Sequence, residues 1–180
     1  MSVENTASNE PDPEETIDNI LAISELLNNQ QLARLYTYIY KNQPVEVESI
    51  KDGLGLPHST TYKYISELEE KQILTRQEDQ KPAKMEVETL EINVETPNGT
   101  VTATPELIDA VGRQSESEDI RVFVERNGVS KLASALHYTR RVIDEELTQR
   151  TAAEKLDVHP TEAMTVITAL QDVIQDHRNR

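Results

Sequence analysis

The chain has 180 residues, 33 acidic against 18 basic side chains, a formal net charge of −15, no cysteine, no tryptophan and a single phenylalanine. The lack of cysteine excludes disulfides and thiolate metal sites and fits an intracellular protein. No run approaches the roughly 18 apolar residues of a membrane span, and the N-terminus lacks the basic-then-apolar pattern of a secretion signal, so a cytoplasmic protein with no membrane partner is expected. The length suits one domain with an appendage or two small domains, and the scarcity of aromatics makes the core aliphatic.

Residues 1–14 are polar and acidic with two prolines, which predicts a disordered tail. From Thr16 the pattern changes: Ile17, Ile20, Leu21, Ile23, Leu26 and Leu27 form a broad apolar stripe on a helix that Asn28-Asn29 ends. Such a helix is either a core element or a dimerisation arm. A second helix, Gln30 to Asn42, turns Leu32, Leu35, Tyr36 and Ile39 inward, and Pro44 stops it. Val45 to Val47 reads as a short strand, with a helix beginning at Glu48.

The stretch from Val45 to Arg76 organises the chain. A short helix carries Ile50 and Leu54 on one face; Gly53 and Gly55 break it, because glycine tolerates the positive φ that ends helices. Leu56 plugs the turn. A second helix, His58 to Lys71, places Thr61, Ile65 and Leu68 on one buried stripe. That leaves His58, Ser59, Thr60, Tyr62, Lys63 and Ser66 facing outward, most of them short polar side chains suited to base edges or phosphates. Two such helices match the helix-turn-helix pattern, in which the second enters the DNA major groove; a plain helical hairpin in a core is the alternative. Ile73 and Leu74 open a strand, Gln77 to Lys84 is a polar loop, and Met85, Val87, Leu90, Ile92 and Val94 mostly alternate as strands do. Arg76 at the base of this hairpin, with Lys81 and Lys84 at its tip, would suit phosphate or minor-groove contact, or be ordinary surface bases.

The segment LGLPHSTTYKYISELEEKQIL resembles the winged helix-turn-helix of archaeal transcription regulators, in the group that includes the TrmB-like and ArsR-like families. The resemblance covers Gln30 to Ile92. It implies that the His58–Lys71 helix reads DNA and that the Ile73–Ile92 hairpin is the wing. The whole chain is also similar to small regulators common in halophilic archaea, through ERNGVSKLASALHYTRRVIDEEL and AAEKLDVHPTEAMTVITAL in its C-terminal part. That similarity implies no role for the C-terminal part.

A DNA binder is expected to be basic, since phosphate contacts supply much of the affinity. The acidity is unevenly spread: residues 1–29 hold seven acids and no Lys or Arg, residues 30–82 eight acids and seven bases, residues 83–180 eighteen acids and eleven bases. The helix-turn-helix is therefore near neutral. In a halophilic cytosol the Debye length is about 3 Å, so distant repulsion is screened, and counterion release weakens too. The alternative is that the acidity repels DNA and the domain binds protein.

In the C-terminal half, Pro97-Asn98-Gly99 between two alternating runs signals a β-hairpin. Thr104-Pro105 starts a helix that stops near Gly112. Ser115 to Glu118 offers a capping box for a helix from about Glu116, with Gly128 as its stop. A longer helix is expected from Val129 to Thr148, then two more, Thr151 to Leu156 and Thr161 to Ile174. This last pair repeats the first: Leu54, Leu56, Thr61, Ile65 and Leu68 have counterparts Leu156, Val158, Ala163, Ile167 and Leu170 at one constant offset. Its outward residues, Thr161, Glu162, Met164, Thr165 and Thr168, include an acid and no base, which favours packing or subunit pairing over DNA.

No catalytic constellation is visible. His58, His137, His159 and His177 lie far apart with no metal-ligand spacing, and there is no phosphate-binding glycine loop. No cofactor, no metal and no enzyme activity are expected. The expected fold is α+β and mainly helical: an acidic tail over 1–14, a winged helix-turn-helix over 15–92, and a β-hairpin with a helical domain over 93–180. The expected function is sequence-specific binding of double-stranded DNA by a homodimeric transcription regulator; the alternative is a protein-interaction module that uses the same fold without DNA.

Overall fold

The structure, a computed structural model, describes residues 12–97 and 99–180. Residues 1–11 of the expected tail and Asn98 of the expected turn lie outside the described residues. Helix α1 (Pro13–Asn28) begins sooner than Thr16, so Asp12 to Glu14 are not tail. The Asp12 carboxylate accepts from the Glu14 amide at 3.0 Å, and Pro13 takes the first helical position, where a missing N–H costs nothing. Its apolar stripe divides: Ala22, Ile23 and Leu26 are buried, whereas Ile17, Ile20 and Leu21 are exposed. Asn29 separates α1 from α2 (Gln30–Asn42) and caps the latter through Leu32 N at 3.1 Å.

Next come β1 (Val45–Glu46), α3 (Val47–Leu54), α4 (His58–Glu70), β2 (Leu74–Gln77) and β3 (Lys84–Val87). The three strands form one antiparallel sheet in the order β1-β3-β2, with Val45 opposite Met85 and Leu74 opposite Val87. Those four side chains are buried and join Leu32, Leu35 and Ile39 of α2 in the core.

The alternation from Met85 to Val94 spans two hairpins, the second being the one expected from the alternating runs either side of residues 97–99, while the wing, expected to reach Ile92, ends sooner. β3 ends at Val87, and Ile92 belongs to a separate two-stranded sheet, β4 (Ile92–Thr96) with β5 (Gly99–Ala103). Tyr36 supplies the physical reason. Its buried hydroxyl donates to Glu88 O at 2.8 Å and accepts from Leu90 N at 3.2 Å, occupying backbone groups that a continued ladder would have used.

Helix α5 (Pro105–Gly112) is capped by Thr104 as expected and is buried along its length. It ends at Gly112 as expected, with φ −62° rather than a left-handed turn, and a 3-10 turn, Arg113–Ser115, follows directly. Helix α6 (Glu118–Ile143) is capped by Ser117, and Gly128, at φ 80° and ψ 168°, leaves helical geometry and divides it into two helical segments, as expected of a stop at that position. It ends at Ile143, short of Thr148, because Glu145 turns left-handed and Glu146 and Leu147 donate back to Arg141 O at 2.9 and 3.1 Å. Thr148 instead caps α7 (Gln149–Leu156), and α8 (Pro160–Arg178) closes the chain. α5 packs on both α2 and α8, and the buried residues from Ala22 to Ile174 form one connected cluster. The fold is α+β and mainly helical. No helix among the described residues is long and apolar enough to cross a membrane.

Candidate nucleic-acid interface

The exposed face of α4 is set by the turn before it. Gly53, expected to break α3, lies within it, and the helix ends at Gly55 alone, whose backbone is left-handed at φ 62° and ψ 31°; Gly55 N and Leu56 N donate to Asp52 O and Lys51 O and so satisfy the last turn. Pro57 then directs the chain in extended conformation into α4, and its carbonyl takes both the amide and the hydroxyl of Thr61, at 3.0 and 3.1 Å. Thr61, Ile65 and Leu68 are fully buried, which fixes the rotation of the helix. His58, Ser59, Tyr62, Lys63 and Ser66 therefore face solvent, with Thr60 half-buried beside them. The His58 and Tyr62 rings lie 4.4 Å apart, and the Lys63 ammonium sits 5.7 Å from the Tyr64 ring. The first two turns of α4 thus present two rings, short hydroxyls and a cation.

The three hairpin bases are placed differently from one another. Arg76, on β2, forks onto Glu69 of α4 at 2.8 and 3.0 Å; those hydrogen bonds hold its proton more firmly and commit the guanidinium within the protein. Lys84 is a half-buried residue of β3, opposite Glu46 and Gln77 rather than at a tip. Lys81 is exposed in the connecting loop. Lys63, Lys81 and Lys84 make no ion pair among the described residues, whereas Lys51 pairs with Glu48 and Lys71 with Glu25.

Residues that periodicity did not single out hold this face in place. Tyr38 of α2 lies over Gly53, where a Cβ would stand 2.3 Å from its hydroxyl oxygen, and donates to Ser49 O at 3.0 Å, locking α3 to α2. Gln43 accepts from Val87 N at 2.7 Å and ties β3 to the end of α2. Further away, Asp109 of α5 is buried among Lys41 at 2.6 Å, Arg113 at 3.0 and 3.2 Å, and His177 at 2.9 Å. Burial opposes its ionisation, but the His177, Arg113 and Lys41 hydrogen bonds outweigh that and hold the carboxyl well below the ordinary aspartate range. The only sequence signal of this cluster was the Asp109–Arg113 spacing of four.

The second helix pair repeats the first in geometry. Asp157 takes the left-handed position of Gly55, at φ 53° and ψ 49°, and His159 takes the extended position of Pro57. Ala163, Ile167 and Leu170 are fully buried, and Thr161, Met164, Thr165 and Thr168 are exposed at the positions of Ser59, Tyr62, Lys63 and Ser66. Glu162 is tied to Asn127 at 2.8 Å. The cation of the first face has no counterpart here. Among the described residues no group of His, Asp or Glu side chains is arranged to hold a metal ion.

Residues 114–179 match the model of a family described as a family of unknown function (DUF7437). The match takes in α6, α7 and α8 and none of the helices and strands from α1 to α5. No curated protein and no solved structure matches the chain.

Proposed function

We propose that this protein is a sequence-specific DNA-binding transcription regulator that docks α4 in the major groove of duplex DNA. In this reading α3, the Gly55 turn and α4 form a helix-turn-helix, and the β2–β3 hairpin, closed by β1, is its wing. The observation that carries it is the outward face of α4. Ser59, Tyr62, Lys63 and Ser66 are exposed on the first turns of a helix whose opposite side is fully buried, with Lys81 exposed on the hairpin beside it. Such side chains reach base edges and phosphates without rearrangement. Arg76 is forked on Glu69, so it reaches a phosphate only by exchanging that partner. The protein acts as a homodimer, with the exposed Ile17, Ile20 and Leu21 of α1 as the apolar contact, which matches one recognition helix to each half-site. The net charge of −15 limits phosphate-driven affinity, so binding depends on base contacts and persists in high salt.

A selection of random duplexes by the purified full chain in molar KCl tests this. A recovered, roughly palindromic motif supports it; recovery of no motif at high or low salt rejects it. A second reading, an interaction module that does not touch DNA, is favoured by the geometric twin formed by α7 and α8, which has the same turn and no base on its face. Cross-linking in cells that yields one stoichiometric protein partner and no DNA would select it.

A further inference from the structure

An open cavity of about 260 Å³ lies where α2, the end of α3, the end of α5 and the last turns of α8 meet. One face of α2 supplies Arg34, Thr37 and Lys41, and Arg113 follows α5. In a chain with so few bases, three of them converge here. Their carboxylate partners are not alike. Asp109 is buried and holds Lys41 and one edge of Arg113. Glu116, which takes the Arg34 fork at 3.1 and 3.3 Å, and Asp176, which pairs with Arg113, have side chains 62% and 54% exposed. Exposed carboxylates add little to stability, because water competes for them, and they are readily displaced. Thr37 is only 6% exposed and lines the cavity, yet its hydroxyl has no partner among the described residues, an uncommon state for a buried polar group.

We propose that this cavity binds a small dicarboxylate, one carboxylate replacing Glu116 on Arg34, the other replacing Asp176 on Arg113, with Thr37 as an added hydrogen-bond donor. Guanidinium forks are matched to carboxylates in shape and charge, and the chain's own two acids already occupy the two positions. The cavity, about 260 Å³ and open to solvent, has room for a molecule of a few carbons between the two guanidinium groups. A single small anion would satisfy one fork only. Arg34 also donates to Leu54 O at 3.1 Å, at the last residue of α3 before the turn into α4. Ligand that draws on Arg34 therefore acts on the turn that presents α4. This consequence, unlike the binding itself, rests on the DNA reading above.

The test is calorimetric titration of the full chain with succinate at constant ionic strength, with malonate and glutarate as a length series and acetate and inorganic phosphate as single-anion controls. The expected result is saturable binding of one dicarboxylate per chain, with acetate and phosphate at least about tenfold weaker, as befits loss of one charged fork. The double variant Glu116→Gln/Asp176→Asn removes the competing acids and is expected to bind about fivefold tighter or better. Arg34→Gln is expected to weaken binding about tenfold with unchanged circular dichroism. The proposal is overturned by any of three results: no saturable binding of the three dicarboxylates to either the native chain or the double variant, a double variant that binds no tighter, or phosphate binding as tightly as succinate. Titration without DNA is independent of the DNA reading. If succinate binds but leaves the affinity for a selected duplex unchanged, only the coupling to α4 fails.

Discussion

Gly112 of α5 lies directly against the backbone of Arg34 on α2: a Cβ at Gly112 would stand 3.0 Å from both the Cα and the N of Arg34. The obstacle is main chain and cannot swing aside. Alanine is the better helix former by about 1 kcal/mol, so on an unobstructed site Gly112→Ala would stabilise. Here it is expected to destabilise by about 1–3 kcal/mol, because α2 and α5 must separate. Urea denaturation of the variant decides; a raised midpoint would show that the helices have room to spare.

Gly55 and Asp157 hold the same left-handed turn, and no atom stands within 4 Å of a Cβ built on Gly55. The cost of substitution there is conformational, not steric. Gly55→Ala is expected to lose about 1 kcal/mol and Gly55→Asn less, while Asp157→Gly gains a few tenths to about 1 kcal/mol. Thermal unfolding of the three variants checks the order. Equal losses for Ala and Asn at Gly55 would mean that the turn geometry differs from that described.

Two buried groups set the pH limits of the fold, with opposite sign. The folded Asp109 carboxyl lies well below its ordinary value, so its contribution is present above about pH 4 and fades as the pH falls through the acid range. Asp109→Asn should flatten that acid limb. Near neutrality it should cost about 1–3 kcal/mol, since it removes the buried acceptor of the half-buried Lys41 and Arg113. Tyr36 runs the other way. Burial pushes its phenol above the ordinary value near 10, so its contribution is present below about pH 10 and is lost as the pH climbs past that. Tyr36→Phe should flatten the alkaline limb. Urea midpoints measured across the pH range separate the two effects, and unchanged limbs in the variants would assign them elsewhere.

The two matched helix faces permit an internal control on DNA binding. Tyr62→Ala with Lys63→Glu removes a ring and reverses a charge on the proposed reading face. At about 1–3 kcal/mol for each such contact, the affinity for a selected duplex should fall on the order of a hundredfold. The equivalent change on the second face, Met164→Ala with Thr165→Glu, should leave it within about twofold. Fluorescence anisotropy in high salt reads both. If the second pair costs as much as the first, either the reading helix is α8 or the effect is global charge.

Ile17 and Leu21, 54% and 61% exposed, lie one turn apart on α1. If they form the contact between protomers, Ile17→Lys with Leu21→Lys should convert dimer to monomer without loss of helicity, because both side chains are more than half exposed among the described residues. Sedimentation velocity distinguishes the two states, and a dimer that persists would move the interface elsewhere.

Local periodicity and capping were sufficient to predict most of the helices, the left-handed turn at Gly55 and the outward residues of α4. Each of these follows from residues within one or two turns of each other: Thr61, Ile65 and Leu68 define a stripe, and Thr104-Pro105 defines a start. The repeat between the two helix pairs was legible for the same reason. Tertiary structure alone decided what periodicity does not encode. It covered Ile23 and Leu26 of α1 but not Ile17 and Leu21, gave Arg76 to Glu69, and set one hydroxyl of Tyr36 on the backbone between the two hairpins. It also gave Gly112, at the expected end of α5, a role in close helix approach, and gathered Arg34, Lys41, Asp109, Arg113 and Asp176 around one cavity. Apolar residues announce their burial by spacing along one segment, whereas a polar side chain takes its partner from whichever segment the fold brings near, and that partner leaves no period in the sequence.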